Sequence, residues 1–266
     1  MEKITLTKEQ ATLLIPLYSK AQPHLPLNDA KARQIIAAVD YDFSNLKVPQ
    51  KTTVTLHIRA RQLDEFTSAF IAAHPNALIL HLGCGLDSRC VRVRREQTLW
   101  VDLDLPDVID LRRKFYEETP TYRMIASSVT DLAWIDQVQA GERPVIIVAE
   151  GLFMYLPEDA LRALILRLQQ HFRGARLVFD AFSKETARRV GAHPSLRKTG
   201  AVVQWGIDDP HLMEQWSPGI RFEQEWFFSQ FEEMNQLPGL YRFVFRLTRS
   251  LTAVQRAQRL LVFTLA

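Results

Sequence analysis

Cys84 and Cys90 are the only thiols in the 266 residues. They lie close together, one of them inside a glycine turn, and make a poor disulfide framework. Two thiols also cannot complete a structural zinc site, which needs four ligands. A reducing cytoplasm is the compartment that fits. No uncharged apolar run approaches the roughly 20 residues that span a bilayer. The N-terminal stretch MEKITLTKEQATLLIPLY is interrupted by Glu2 and Glu9, with no small-residue cleavage site after it, and does not read as a signal peptide. Internal repeats, low-complexity tracts and Gly/Ser linkers are lacking too. No His, Cys and carboxylate cluster has ligand spacing, so no metal is expected. A large charge of either sign is missing: 33 Lys and Arg face 30 Asp and Glu, and the net +3 does not by itself imply a polyanionic partner.

What remains is ordinary globular material, 47% hydrophobic and 24% charged, enough for a sizeable core in one domain over 1–266. Residues 8–74 read as mainly helical, because KARQIIAAVD and RQLDEFTSAFIAAH space apolar residues three and four apart. His74-Pro75-Asn76 breaks that pattern. From Ala77 onward short apolar runs (ALILHL, TLWVDLD, YRMIAS, PVIIVAE, ARLVFDAF) alternate with helical ones. In LPDVIDLRRKF Pro106 stands near the first turn. In PEDALRALILRLQQHFRG Pro157 can start the helix, Leu161, Leu164, Ile165 and Leu168 form its stripe, and Gly174 can stop it. Alternation of this kind predicts an α/β fold with a mostly parallel, Rossmann-like sheet under an N-terminal helical cover (1–76). Such sheets bind ligands at the carboxyl ends of their strands.

The residues at those ends form a pattern. The first strand runs into Gly83-Cys84-Gly85, where glycines permit a tight turn and let backbone N–H groups approach a ligand. A dinucleotide fingerprint would carry a third glycine where this chain has Ser88. The second strand ends in Asp102 and Asp104, at the spacing of an acid that grips ribose hydroxyls. Asp104, beside the Leu-Pro turn, is the first candidate and Asp102 the second. Asp131 follows the third strand and can accept from an adenine amino group while Leu132 packs on the ring, or it can simply cap a helix. Glu150 ends the fourth strand, where a buried carboxylate needs either an ammonium group or a buried Arg. Gly151 turns the chain there, and Phe153, Met154 and Tyr155 then face a reaction space or pack in the core. Acids after three strands, without a third glycine for a pyrophosphate, favour S-adenosyl-L-methionine (SAM) over NAD.

HLGCGLDSR, VDLDLPDVI, SSVTDLAW and AEGLFMYL together resemble the leucine carboxyl methyltransferase family. The likeness is to its bacterial branch, that of the tetracenomycin polyketide O-methyltransferases, and it runs from about residue 11 to the end. LLIPLY, DYDF and RARQLDEF match the helical N-terminal portion. The resemblance implies a class I SAM-dependent methyltransferase with a seven-stranded sheet, ending in strands at RFEQEWFFSQ and RLLVFTLA. By the same resemblance Gly83 touches the methionine part of SAM, Asp104 the ribose, Asp131 and Leu132 the adenine, and Glu150 the amino-acid end. An Arg before the last N-terminal helix takes the SAM carboxylate, either Arg59 or Arg61, with the spacing to Phe70 favouring Arg59. Tyr155 matches a position beside the acceptor. The best-known members methylate the C-terminal leucine of a protein phosphatase. That substrate is not carried over, because the likeness is to the small-molecule branch.

Methyl transfer from a sulfonium is an in-line displacement with a neutral leaving group. A carboxylate acceptor needs no base, whereas a phenol or alcohol does. His81, at the first strand's end, is a candidate base or a histidine fixed by its neighbours. Two rival readings accompany this one. RNA methylation draws on a tail with no acid after Glu233 and with Arg242, Arg246, Arg249, Arg256 and Arg259, but no RNA-binding module precedes the fold, and no nucleic-acid partner is expected. A non-catalytic SAM-binding protein is the other, and the intact set of acids argues against it.

Overall fold

The computed structural model describes residues 13–23, 27–46, 48–191, 202–228, 239 and 252–266. Three helices come first: α1 (Leu14–Lys20), α2 (Ala30–Ala38) and the long α3 (Gln50–Ala73). Then β1 (Leu78–Leu82), α4 (Arg89–Arg92), β2 (Leu99–Asp104), α5 (Pro106–Arg112), β3 (Tyr122–Ala126) and β4 (Val145–Ala149) follow. They are succeeded by α6 (Glu158–His171), β5 (Ala175–Phe182), α7 (Lys184–Gly191), β6 (Ile220–Phe227) and β7 (Gln258–Leu265). The seven strands form one sheet in the order β3-β2-β1-β4-β5-β7-β6. Neighbours from β3 to β5 are parallel, and β7 runs antiparallel between β5 and β6. Every apolar run expected to be a strand is one.

Helix signals held locally. Pro106 occupies the first turn of α5, with Asp107 in that turn and Arg112 in the last, as the helix dipole favours. Pro157 caps α6, and Gly174 takes φ +76 just beyond it. Alternate strand residues feed two cores. Leu78, Leu80 and Leu82 pack with the stripe of α6 (Leu161, Leu164, Ile165, Leu168) on one face. On the other, Ile79, Trp100, Ile146 and Val148 pack with Leu14, Leu17, Ile35, Val54, Ile58 and Leu63 from α1, α2 and α3. The N-terminal helices therefore share a core with the sheet.

Strand register sets up the site. Leu82 pairs with Leu103 on one side and with Ala149 on the other, and Ala149 pairs with Phe179. The next residues, Asp104 closing β2, Gly83 and Glu150 just beyond β1 and β4, and Asp180 within β5, thus stand side by side toward the carboxyl edge. Between β1 and β4 the strand order reverses, the position where open α/β sheets bind ligands.

Candidate active site

Gly83 and Gly85 take φ +63 and +50, left-handed values that a side chain would strain. A Cβ on Gly83 would come within 3.0 Å of the Leu152 side chain. Asp104 organises the turn, accepting from the Gly85 N–H at 2.7 Å and the Leu105 N–H at 2.8 Å. Burial pushes its carboxyl above the usual range, opposed by those two N–H groups. Asp102, the second ribose candidate, is displaced from that role. It is fully buried and saturated by Trp100 Nε1 (2.8 Å), Arg112 Nη2 (2.5 Å) and the Tyr122 hydroxyl (2.6 Å). Burial alone would raise its carboxyl, but Arg112, His81 and Tyr122 outweigh it and hold the group ionised. Arg112 also donates to the carbonyls of Gly85 (2.9 Å) and Asp87 (2.7 Å), bracing the glycine turn.

At Ser88, where a dinucleotide fingerprint has its third glycine, the hydroxyl donates to Asp29 at 2.5 Å. Asp29 caps α2 through the Ala32 N–H and also accepts from Arg92 Nη1 at 2.7 Å. The chain uses that position to fasten an N-terminal helix to the turn.

Glu150 is the centre of the charged end. It accepts from Arg59 Nε (3.1 Å), Arg89 Nη2 (2.6 Å) and Lys20 Nζ (2.9 Å), with the side chains of all four residues almost fully buried. Burial would raise this carboxyl. Lys20, Arg59 and Arg89 reverse the effect and bring it down to about 2. Arg59 lies in the middle of α3 rather than before a helix as the resemblance implied. It reaches past Gly151, whose φ is +64 and whose Cβ would lie 3.1 Å from Arg59 Nη2. Arg61 points away and pairs with Glu65 at 3.0 Å on the exposed side of α3. Arg89 also donates to Asp64 (2.7 Å), and its Nη1 lies 3.0 Å from His81 Nε2. His81 is buried and committed to Arg89 on one side and to Asp102 on the other, 3.3 Å away, so it is a fixed core histidine and not a free base.

The remaining candidates are more open. Asp131 is exposed and accepts from the Ala133 N–H at 3.4 Å as the cap of a short 3-10 turn (Leu132–Gln137), leaving most of its lone pairs free. Leu132 is half-buried against the α6-side core. Tyr155 ends a 3-10 turn (Phe153–Tyr155). Burial raises its phenol, against the pull of Arg59. Phe153 and Met154 are buried, Phe153 against the Phe179 ring 5.0 Å away, so neither faces a reaction space.

Sequence reasoning missed Lys20, Asp87, Arg89 and Asp180 at this site. Lys20 ion-pairs with both Asp87 and Glu150. Asp180 is 1% exposed and accepts from Arg59 Nη1 (3.0 Å) and the Gly151 N–H (2.6 Å). In the basic tail, Arg242, Arg246 and Arg249 fall outside the described residues. Arg259 is no surface cation: it is buried, 2.8 Å from Glu225 and bonded to the carbonyls of Ile207 and Asp208.

A mostly parallel sheet with one antiparallel strand beside its edge, a glycine turn after β1, an acid closing β2 and another just after β4 defines a class I SAM-dependent methyltransferase. Residues 18–169 match the leucine carboxyl methyltransferase family. The chain is 39% identical to the tetracenomycin polyketide synthesis O-methyltransferase TcmP of Streptomyces glaucescens, over 99% of each chain. It is 34% identical to the SAM-dependent methyltransferase dpfgK of Gibberella zeae, over 85% of this chain and 84% of that one. The fold is shared with the crystal structure of a DUF574 family protein from Streptomyces avermitilis, at TM-score 0.61 and 12% identity, covering 97% and 99% of the two chains. The chain belongs to the leucine carboxyl methyltransferase family.

Proposed function

We propose that this SAM-dependent O-methyltransferase transfers its methyl group to a carboxylate or another oxygen of a polyketide-like small molecule, working in the cytoplasm, where two buried, unpaired thiols stay reduced. The observation that carries the cofactor reading is the row of Asp104, Gly83 and Glu150 at the switch point with buried Arg59 and Lys20 against it. A zwitterion, a pair of vicinal hydroxyls and an uncharged ring find matching partners there. Glu150 takes the ammonium and Arg59 with Lys20 the carboxylate. Asp104 takes the ribose hydroxyls. Gly83 and Gly85 allow close approach, and Asp131 and Leu132 receive the adenine. When bound, SAM supplies an activated methyl on sulfur.

The protein's part is then alignment and exclusion of water, effects that together supply several kcal/mol. Tyr155, its phenol raised by burial, keeps its proton at neutral pH and donates a hydrogen bond that orients the acceptor oxygen. An ionised carboxylate needs nothing more. The small-molecule acceptor class is supported by TcmP, whose name assigns it to polyketide synthesis and which matches this chain end to end. The test is incubation with methyl-labelled SAM and a cell extract. Label in small molecules is expected, released by base if the product is a methyl ester and retained if it is a methyl ether. Label in RNA, or none, overturns the reading.

A further inference from the structure

Arg59 has to offer donors to a ligand while lying beside Glu150. Left to themselves, a guanidinium and a carboxylate close into a two-point pair. In this site they do not. Arg59 gives Nε to Glu150 Oε1 and turns Nη1 to Asp180 Oδ2, 3.0 Å away, and among the described residues Nη2 makes no hydrogen bond. Asp180 follows Phe179, the ladder partner of Ala149, so it stands beside Glu150 at the sheet edge. Its other oxygen accepts the Gly151 N–H at 2.6 Å, which fixes the turn that carries Glu150 onward to Tyr155. Gln258 Nε2, at the start of β7, also approaches Oδ2, at 3.3 Å. Three donors from three segments converge on one carboxylate that is 1% exposed.

From this geometry we infer that Asp180 is a positioning residue for the cofactor's amino-acid end: it divides the Arg59 guanidinium between two acids and so keeps both Arg59 and Glu150 available to a zwitterion. The inference rests on the reading of Arg59 and Glu150 given above. An amide cannot replace the carboxylate. Donors aim at both Asp180 oxygens, and an Asn side chain has one acceptor and one NH2, so in either orientation a donor faces a donor. Arg59 then swings wholly onto Glu150, and the two satisfy each other instead of a ligand.

The test compares S-adenosylhomocysteine with 5′-deoxy-5′-methylthioadenosine, which keeps the nucleoside thioether and lacks the amino-acid end. Calorimetry on wild type and Asp180→Asn is expected to show at least a tenfold loss of S-adenosylhomocysteine affinity in the variant, with methylthioadenosine binding changed less than twofold. That second ligand also reports that the fold and nucleoside site are intact. Asp180→Glu keeps the charge and shifts it by one methylene. It guards against a variant that does not fold and is expected to show the same selectivity with a smaller loss. If both ligands weaken equally, or neither does, Asp180 has a structural role only and the inference fails while the cofactor reading stands. If wild type binds the two ligands equally well, or binds neither, the reading of Arg59 and Glu150 fails and the inference falls with it.

Discussion

The two ends of the proposed cofactor site are built on different principles. The proposed amino-acid end is a knot of buried charges, with Glu150, Asp87 and Asp180 against Lys20, Arg59 and Arg89, tied together from α1, α3, the glycine turn, α4, the turn after β4, and β5. The nucleoside end is light. Asp104 is held only by two backbone N–H groups, and Asp131 is an exposed cap. Buried charges are costly unless paired with good geometry, so the first end must be assembled by the whole fold. The second needs little more than a strand end and a turn. Damage at the first end should therefore cost stability as well as binding, and damage at the second should cost binding alone.

Glu150→Ala should have the largest effect. It removes the common acceptor of three buried cations, and breaking a buried pair by deleting one partner costs about 3–5 kcal/mol. Urea denaturation should show that loss, and calorimetry should show SAM binding abolished. A Glu150→Ala protein as stable as wild type would mean the cations relax to solvent, and the contrast between the two ends would collapse.

Asp104→Ala is the matching cut at the other end. Loss of a charged acceptor to ribose hydroxyls should weaken S-adenosylhomocysteine binding by about 1.5–3 kcal/mol. The midpoint of urea unfolding should move far less than for Glu150→Ala, since two backbone donors lose their acceptor and no buried cation is left unpaired. Normal binding by this variant would remove Asp104 from the ribose.

Acid should separate the ends without mutation. Glu150 is depressed to about 2 by its cations, so the stability it contributes is fully present above its unfolded value near 4.5 and is lost only as the pH falls toward 2. Asp104 is shifted the opposite way by burial, so it takes up its proton first on acidification. Methylthioadenosine affinity, which depends on the nucleoside end alone, should therefore fall at a higher pH than the urea midpoint does. Coincident losses would show that the ends titrate as one.

The same contrast explains what could be read from the sequence. Gly83, Asp104 and Glu150 announce themselves because each follows an apolar strand directly, and a strand end is a local signal. The strands, the turn and the class of fold were legible for that reason. Lys20 and Asp180 were not. Lys20 closes a short apolar helix and looks like any solvated lysine, and its partners Asp87 and Glu150 lie far along the chain. Asp180 sits within the apolar run ARLVFDAF, where only the neighbouring strand reveals what it faces. Asp102 misled in the opposite sense: its spacing suits a ribose acceptor, but Arg112, one helix later, claims it. Pairings across the fold leave no mark on local spacing.

The smallest effects belong to the tripeptide Arg59-Ala60-Arg61, where the contrast between buried and open charge is compressed into three residues. Two residues on a helix differ by about 200° in direction, so the two arginines point to nearly opposite sides of α3. Arg59 is 7% exposed and meets Glu150 and Asp180, whereas the Arg61 side chain is 41% exposed and meets Glu65 one turn on. A lysine at 59 keeps the charge but loses the fork that serves two acids and a ligand carboxylate together. Arg59→Lys should fold and bind SAM at least about tenfold more weakly, near 1.4 kcal/mol. Arg61→Lys retains a solvated pair of a kind worth about 0–1 kcal/mol, and its SAM affinity should match wild type within the error of calorimetry. Equal affinities for both variants and wild type would leave α3 a packing role and remove Arg59 from the site. Equal losses in both would mean that α3 acts through its docking on the sheet, because no reach of the Arg61 side chain brings it to Glu150 from the outer face.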